Sequence, residues 1–167
     1  MLKLLGLFCV VFCGAGCGFA ASAALRRQVV FCDTLRLFLE ELGILMRWNG
    51  DTLPVLLGDL ADKQTYAPLT FLKNVIPQLE KGIVFSEAWK AAIQSMRRLP
   101  EELRRLLLSL GESLGTSDLE GQMKTLAQHQ QQLSRICQSA AEQYHKKGKL
   151  YRSIGLLGGM SAALLLC

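Results

Sequence analysis

The sequence predicts an all-α fold: a cytoplasmic multi-helix bundle flanked by N- and C-terminal transmembrane helices. Three observations carry that expectation. Two apolar tracts, Leu4 to Leu25 and Ile154 to Cys167, occupy the ends of the chain. Basic residues stand at the inner border of each tract, and the apolar positions between them recur at three- and four-residue spacing. The expected organisation is an N-terminal transmembrane helix over 4–25, a cytoplasmic helical bundle over 26–150 and a short C-terminal transmembrane helix over 151–167.

The first tract holds 22 residues without a charge. As a helix it would span roughly 33 Å, enough for a hydrocarbon core of about 30 Å. A cleaved signal peptide competes with this reading, because Ala21-Ser22-Ala23 resembles a small-residue cleavage site. Only Lys3 would form its basic leader, and Arg26-Arg27 stands where a stop-transfer border belongs. Cys17 follows Gly14-Ala15-Gly16 but lacks an aliphatic residue three positions earlier, which argues against lipidation.

The second tract has 14 uncharged residues, roughly 21 Å of helix. Adding Tyr151 as an interfacial anchor and Arg152 as a snorkelling residue extends it to 17 residues, roughly 25 Å. A short membrane-spanning helix is the expectation, with a re-entrant or surface helix as the alternative. Gly155, Gly158, Gly159 and Ser161, and Gly6, Gly14, Gly16 and Gly18 on the first tract, would allow close helix contact in lipid.

Arg26 and Arg27 follow the first tract, and Lys146, Lys147, Lys149 and Arg152 precede the second. The positive-inside rule therefore places the middle in the cytoplasm and both termini across the membrane, with Lys3 as a weak opposing charge. With Lys3 set aside, 18 of the 19 basic residues face 14 acidic ones, a balance of +4. That excess is too small to point to nucleic acid. Arg97-Arg98 and Arg104-Arg105 have no interleaved aromatics and read as solvated or lipid-facing charge, so anionic headgroups are the electrostatic partner expected.

The middle reads as helix nearly throughout. Val30, Leu35, Phe38, Leu42, Leu45 and Met46 trace an apolar face over 26–49, continuing the first tract's helix. Asn49-Gly50-Asp51 supplies a turn, and Pro54 suits the first turn of a short helix bearing Leu56, Leu57, Leu60 and Ala61. Pro68 opens a further helix, which Pro77 kinks or divides before Gly82. Ser86 and Glu87 begin the next, with Ala88, Trp89, Ala92, Ile93 and Met96 facing the core. Pro100 begins another, carrying Leu103, Leu106, Leu107, Leu110 and Leu114. Gly115 ends it. Ser117 then caps the last helix, and Glu120 at its third position completes a capping box. Leu119, Met123, Leu126, Leu133, Cys137, Ala140 and Tyr144 form that helix's apolar stripe, and Gln128 and Gln130 to Gln132 its polar face.

Nothing in the sequence points to catalysis, a cofactor or a metal. His129 and His145 are 16 residues apart on one expected helix, about 24 Å, and read as surface or satisfied histidines. Glu40-Glu41 and Glu101-Glu102 are adjacent pairs whose side chains diverge. No phosphate loop, zinc-protease motif or serine elbow occurs. The cysteines form no framework: Cys9, Cys13, Cys17 and Cys167 lie in apolar tracts, and Cys32 and Cys137 suit a core or helix face in reducing cytoplasm. Two other classes stay open, a generic membrane-tethered helical adaptor and, less favoured, a small membrane enzyme.

Four strings occur in order along nearly the whole chain. They are Met1-Leu2-Lys3-Leu4, Gly82 followed by Ser86-Glu87-Ala88-Trp89, Leu110 to Asp118 (LGESLGTSD) with Gln122, and Leu150 to Gly159 (LYRSIGLLGG). Together with the terminal tracts they resemble the stage III sporulation protein AB family of endospore-forming bacteria. The resemblance implies a cytosolic bundle like that of the inner-membrane platform proteins of type II secretion and type IV pilus systems. It further implies a non-catalytic place on the mother-cell side of the channel between mother cell and forespore, with the termini toward the intermembrane space. The partners it implies are the AA ATPase, other stage III membrane proteins and membrane lipids, and a homo-oligomer is compatible with it.

On the same resemblance, the loop at 111–118 is a helix–helix turn whose path needs Gly111 and Gly115, with Ser117, Glu120 and Gln122 alongside as structural or interaction residues. Trp89 is the large anchor of the bundle, or, if exposed, an interface hot spot. The chain departs from the family near residues 45–53. The usual Glu before an Ile-x-Tyr-like segment falls on Leu45, Trp48 takes the aromatic place, and the expected proline is Thr52, with Pro54 nearby.

Overall fold

In the computed structural model, the backbone is described for residues 2–48, 51–114 and 119–166, and side chains for residues 16, 19–48, 51–114, 120–147 and 153. Among the described residues every regular element is helical. In order they are α1 (Leu2–Trp48), α2 (Leu53–Ala61), a 3₁₀ turn (Gln64–Tyr66), α3 (Leu72–Glu80), α4 (Phe85–Ser95), α5 (Glu101–Ser113) and α6 (Leu119–Leu166). The chain forms two compact units, one of Met1–Val30 with Gln138–Cys167 and the other of Phe31–Cys137.

The Phe31–Cys137 unit is the helical bundle. Cys32, Leu35, Phe38, Leu39, Leu42 and Met46 of α1 are buried, following the three- and four-residue spacing of the sequence. Leu39 adds to the expected face and Val30 leaves it. Val30 is exposed because the buried arc centres on Leu35, Leu39 and Leu42, and Val30 falls on the opposite side of the helical wheel. Leu45 is half-buried. Leu56, Leu57 and Leu60 bury the inner side of α2, which opens with Pro54 in its first turn, where the missing N–H costs no helical bond.

Pro68 does not open a helix. Tyr66, Leu69 and Phe71 are all buried, and the chain folds through a 3₁₀ turn and further turns to seat them before α3 begins at Leu72. Pro77 stands inside α3 without dividing it. Pro77 and Lys73 are both exposed, so the carbonyl deprived of its helical partner belongs to a residue on the solvent side. The helix ends in a Schellman motif: Gly82 N–H donates to Leu79 O at 2.9 Å and Ile83 N–H to Gln78 O at 3.1 Å. Gly82 has φ +78°, a left-handed conformation that glycine adopts without a Cβ clash.

Helix α4 begins at Phe85, so Ser86 and Glu87 lie in its first turn as expected, although no side chain caps it. Ala88, Trp89, Ala92 and Ile93 are buried and Met96 is half-buried. Pro100 is the N-cap of α5, on which Leu103, Leu106, Leu107 and Leu110 are buried, with Leu114 just beyond. From α6 the bundle receives Leu126, His129, Leu133 and Cys137. Met123 is half-buried.

The other unit comprises the N-terminal part of α1 and the C-terminal part of α6. Ser22 and Ala140 are buried there. Among the described residues no helix is long and apolar enough to cross a membrane. The tracts on which the transmembrane expectation rests have most of their side chains outside the described residues.

Candidate functional site

The α4–α5 hairpin is built around one side chain. Trp89 projects from α4, is fully buried, and donates its indole N–H to the carbonyl of Leu107 at 2.7 Å. Phe71 packs edge-on against it at 5.1 Å between ring centroids, and Phe85 lies tilted at 5.4 Å. The indole occupies the space a side chain would need at Gly111. A Cβ placed there would stand 2.1 Å from Trp89 Cδ1 and 2.8 Å from both Cγ and Nε1. Trp89 is thus the internal anchor of the bundle.

Gly111 corrects the turn that the resemblance implied and agrees with the leucine spacing that runs to Leu114. It lies inside α5, which runs to Ser113, and not in an interhelical turn. Its lack of a side chain serves helix–helix packing. Gly115 and Ser117 lie outside the described residues, as does the capping bond expected from Ser117. Glu120 is exposed in the first turn of α6, and Gln122 is half-buried and engaged.

Arg104 was not singled out by the sequence, which reads Arg104-Arg105 as two solvated or lipid-facing charges. The structure separates them. Arg104 donates from Nη1 to Ile93 O at 3.1 Å and from Nη2 to Met96 O at 2.6 Å, so it caps the C-terminal end of α4 from α5. Its side chain is 21% exposed against 74% for Arg105. Arginine at the solvent end of an apolar helix face is the only sequence signal, and Arg105 shares it.

A second polar cluster ties α1 to the segment after α2. Glu41 accepts from both Lys63 Nζ and Tyr66 Oη. The hydrogen bonds from Lys63 and then Tyr66 hold the Glu41 carboxyl below the usual carboxylate range. Burial, and then the bond to Glu41, push the Tyr66 phenol up. Phe38 packs edge-on to Tyr66 at 5.6 Å. Glu40, the neighbour in sequence, is exposed.

His129 is a buried, satisfied histidine. Its Nδ1–H donates to Thr125 O at 2.8 Å, leaving Nε2, at 3.3 Å, to accept from Ser109 Oγ. Cys32 and Cys137 are free thiols, both buried, and the neighbouring Cys137 thiol, followed by burial, pushes the Cys32 thiol up. Among the described residues no group of three His, Cys, Asp or Glu side chains is placed to hold a metal ion. A shallow groove between α5 and α6, lined by Glu102, Arg105, Leu106, Ser109, Gln132 and Ile136, is open to solvent.

These contacts give the bundle a large buried anchor and polar ties at the helix ends. One family model matches the chain, that of stage III sporulation protein AB, over residues 3–167. No curated protein and no solved structure matches it.

Proposed function

The chain belongs to the stage III sporulation protein AB family, which makes it a non-catalytic, membrane-associated sporulation protein, and on that premise we propose that it is a membrane platform component of the mother-cell to forespore channel. In this reading the helical bundle lies in the mother-cell cytoplasm and couples a secretion-type ATPase, the AA component, to the membrane proteins of the channel. The tracts at 4–25 and 151–167 cross the membrane, with both termini toward the intermembrane space. Gly115, Ser117, Glu120 and Gln122 lie at the α5–α6 connection and its first turns, where they fix that turn or meet a partner.

The observation that carries the proposal is the match across 165 residues, 3–167, which takes in both apolar tracts and the bundle between them. The family match is supported by α1 and α6, each of which contains residues of the bundle unit and residues of an apolar tract.

The test is photocrosslinking in sporulating cells from exposed positions on three helices, Lys90, Arg105 and Gln128, each replaced singly by a photoreactive residue. Capture of the ATPase or another channel component is expected. Efficient capture of unrelated proteins alone would refute the platform role and leave a generic tethered adaptor.

A further inference from the structure

The solvent face of α1 within the bundle unit carries a regular strip: Asp33, Leu37, Glu40, Ile44 and Trp48, at successive spacings of four, three, four and four residues. At about 100° per residue these side chains fall within about 80° of arc, opposite the buried arc of Leu35, Leu39 and Leu42. Leu37 is 45% exposed, Ile44 59% and Trp48 78%. Asp33, one turn before Leu37, and Glu40, between Leu37 and Ile44, are exposed on the same face. Single exposed apolar residues are ordinary, but three in line ending on a tryptophan are the pattern of a helix awaiting a partner.

We infer that this strip docks a helix of another protein whose own seam interleaves apolar residues with lysine or arginine, Trp48 supplying the terminal anchor. The charges select that occupant. A basic residue opposite Asp33 and another opposite Glu40 would pair each carboxylate while the apolar residues close over Leu37 and Ile44, and an acidic or apolar residue would face the bordering Arg47. A second copy of this chain fits poorly. Copies held in one membrane pair in parallel, which sets Asp33 against Asp33, Glu40 against Glu40 and the bordering Arg47 against Arg47, like charge on like in three layers. The anchor has the residue type that dominates interface energetics, and its exposure contrasts with the fully buried Trp89.

The inference rests on the reading of the chain as a scaffold and specifies the chemistry of one of its partners. Its test uses the full chain in zwitterionic lipid nanodiscs and two synthetic helical peptides. One carries leucines and lysines in alternating three- and four-residue steps, and the other has glutamate in place of each lysine. Binding is read from the emission of Trp48 and from crosslinking to a photoreactive residue at position 44. The lysine peptide is expected to bind at least about tenfold more tightly than the glutamate peptide, with the preference reversed in the Asp33→Lys/Glu40→Lys variant. Both substitutions lie on the surface, and unchanged emission from buried Trp89 in a Trp48→Phe background reports that the variant is folded. Equal binding of the two peptides, binding of neither, retention of lysine-peptide binding by the variant, or self-association through position 44 would each overturn the inference. The assay contains no ATPase, so its failure leaves the platform proposal standing, and failed ATPase capture leaves the strip's chemistry standing.

Discussion

Trp89 fills the space that Gly111 leaves open: the indole lies where a Cβ would sit, 2.1 Å from Cδ1, and its N–H reaches Leu107 O one helical turn before that glycine. Both the ring and the backbone are fixed by their neighbours, Phe71 and Phe85 on one side and the buried leucines of α5 on the other. Neither can move alone. The absence of a side chain at Gly111 is therefore a packing requirement of α4 on α5.

Gly111→Ala is expected to destabilise the bundle by about 1–3 kcal/mol or more, because the added methyl forces the indole out of its seat. Gly43→Ala is the control. Its Cβ would meet Leu126 Cδ2 at 2.9 Å and Met123 Cε at 3.9 Å, both far ends of flexible side chains rather than an aromatic ring, so the change should cost clearly less than Gly111→Ala. Denaturation midpoints of both variants test the contrast, and a Trp89→Phe background should recover part of the Gly111→Ala loss.

Arg104 and Arg105 should separate sharply in a truncation experiment. Arg104→Ala removes two charge-assisted hydrogen bonds to the end of α4 and is expected to cost about 1.5–3 kcal/mol. Arg105→Ala should stay within about 0.5 kcal/mol, since its contact with Glu101 is an exposed ion pair at 3.7 Å. Arg104→Lys should fall between them, because one ammonium does not reproduce the guanidinium fork.

The tie from α1 to the 3₁₀ turn should be visible as pH dependence. Glu41 has its folded-state value lowered from 4.5, so its contribution is present above 4.5 and is lost as pH falls through the folded-state value. Tyr66 has its value raised from 10.0, so its contribution is complete below 10.0 and is lost as pH rises through the folded-state value. Glu41→Gln should flatten the acid limb of a stability–pH curve, and Tyr66→Phe the alkaline limb. Unchanged limbs would remove this cluster from the account.

Ser109 supports His129 across the α5–α6 contact through the proton it donates to Nε2. Ser109→Ala is expected to cost about 0.5–1.5 kcal/mol. His129→Phe should cost more, since it also strips the Nδ1 bond to Thr125 O. A double-mutant cycle read by chemical denaturation gives the coupling.

Much of the bundle was legible because its helices bury one stripe each. Leu103, Leu106, Leu107 and Leu110 declare α5, and Ala88, Trp89, Ala92 and Ile93 declare α4, through spacing alone. Gly111 was misplaced by the resemblance, which carried 111–118 over as a turn although the leucine spacing runs on to Leu114. It stands four residues after Leu107, on the buried stripe, and that register was the signal. Arg104 was illegible for another reason: its partners are carbonyls of α4, eight and eleven residues earlier, which meet it only after the hairpin closes. Pro68 misled because burial of Tyr66, Leu69 and Phe71 outweighed the local tendency of proline to open a helix. The exposed strip of α1 was hidden because exposure, not residue type, distinguishes Leu37 and Ile44 from Leu35 and Leu42.

The most direct test of the central claim, a cytoplasmic bundle held at the membrane by both ends, is compartment-specific labelling of the full chain in mother-cell membranes. A tag at each terminus and a third at position 128 are probed with protease from the cytoplasmic side. The account predicts cleavage at position 128 with both terminal tags protected until the membrane is opened. Cleavage of either terminal tag alongside position 128, or protection of position 128, would contradict it.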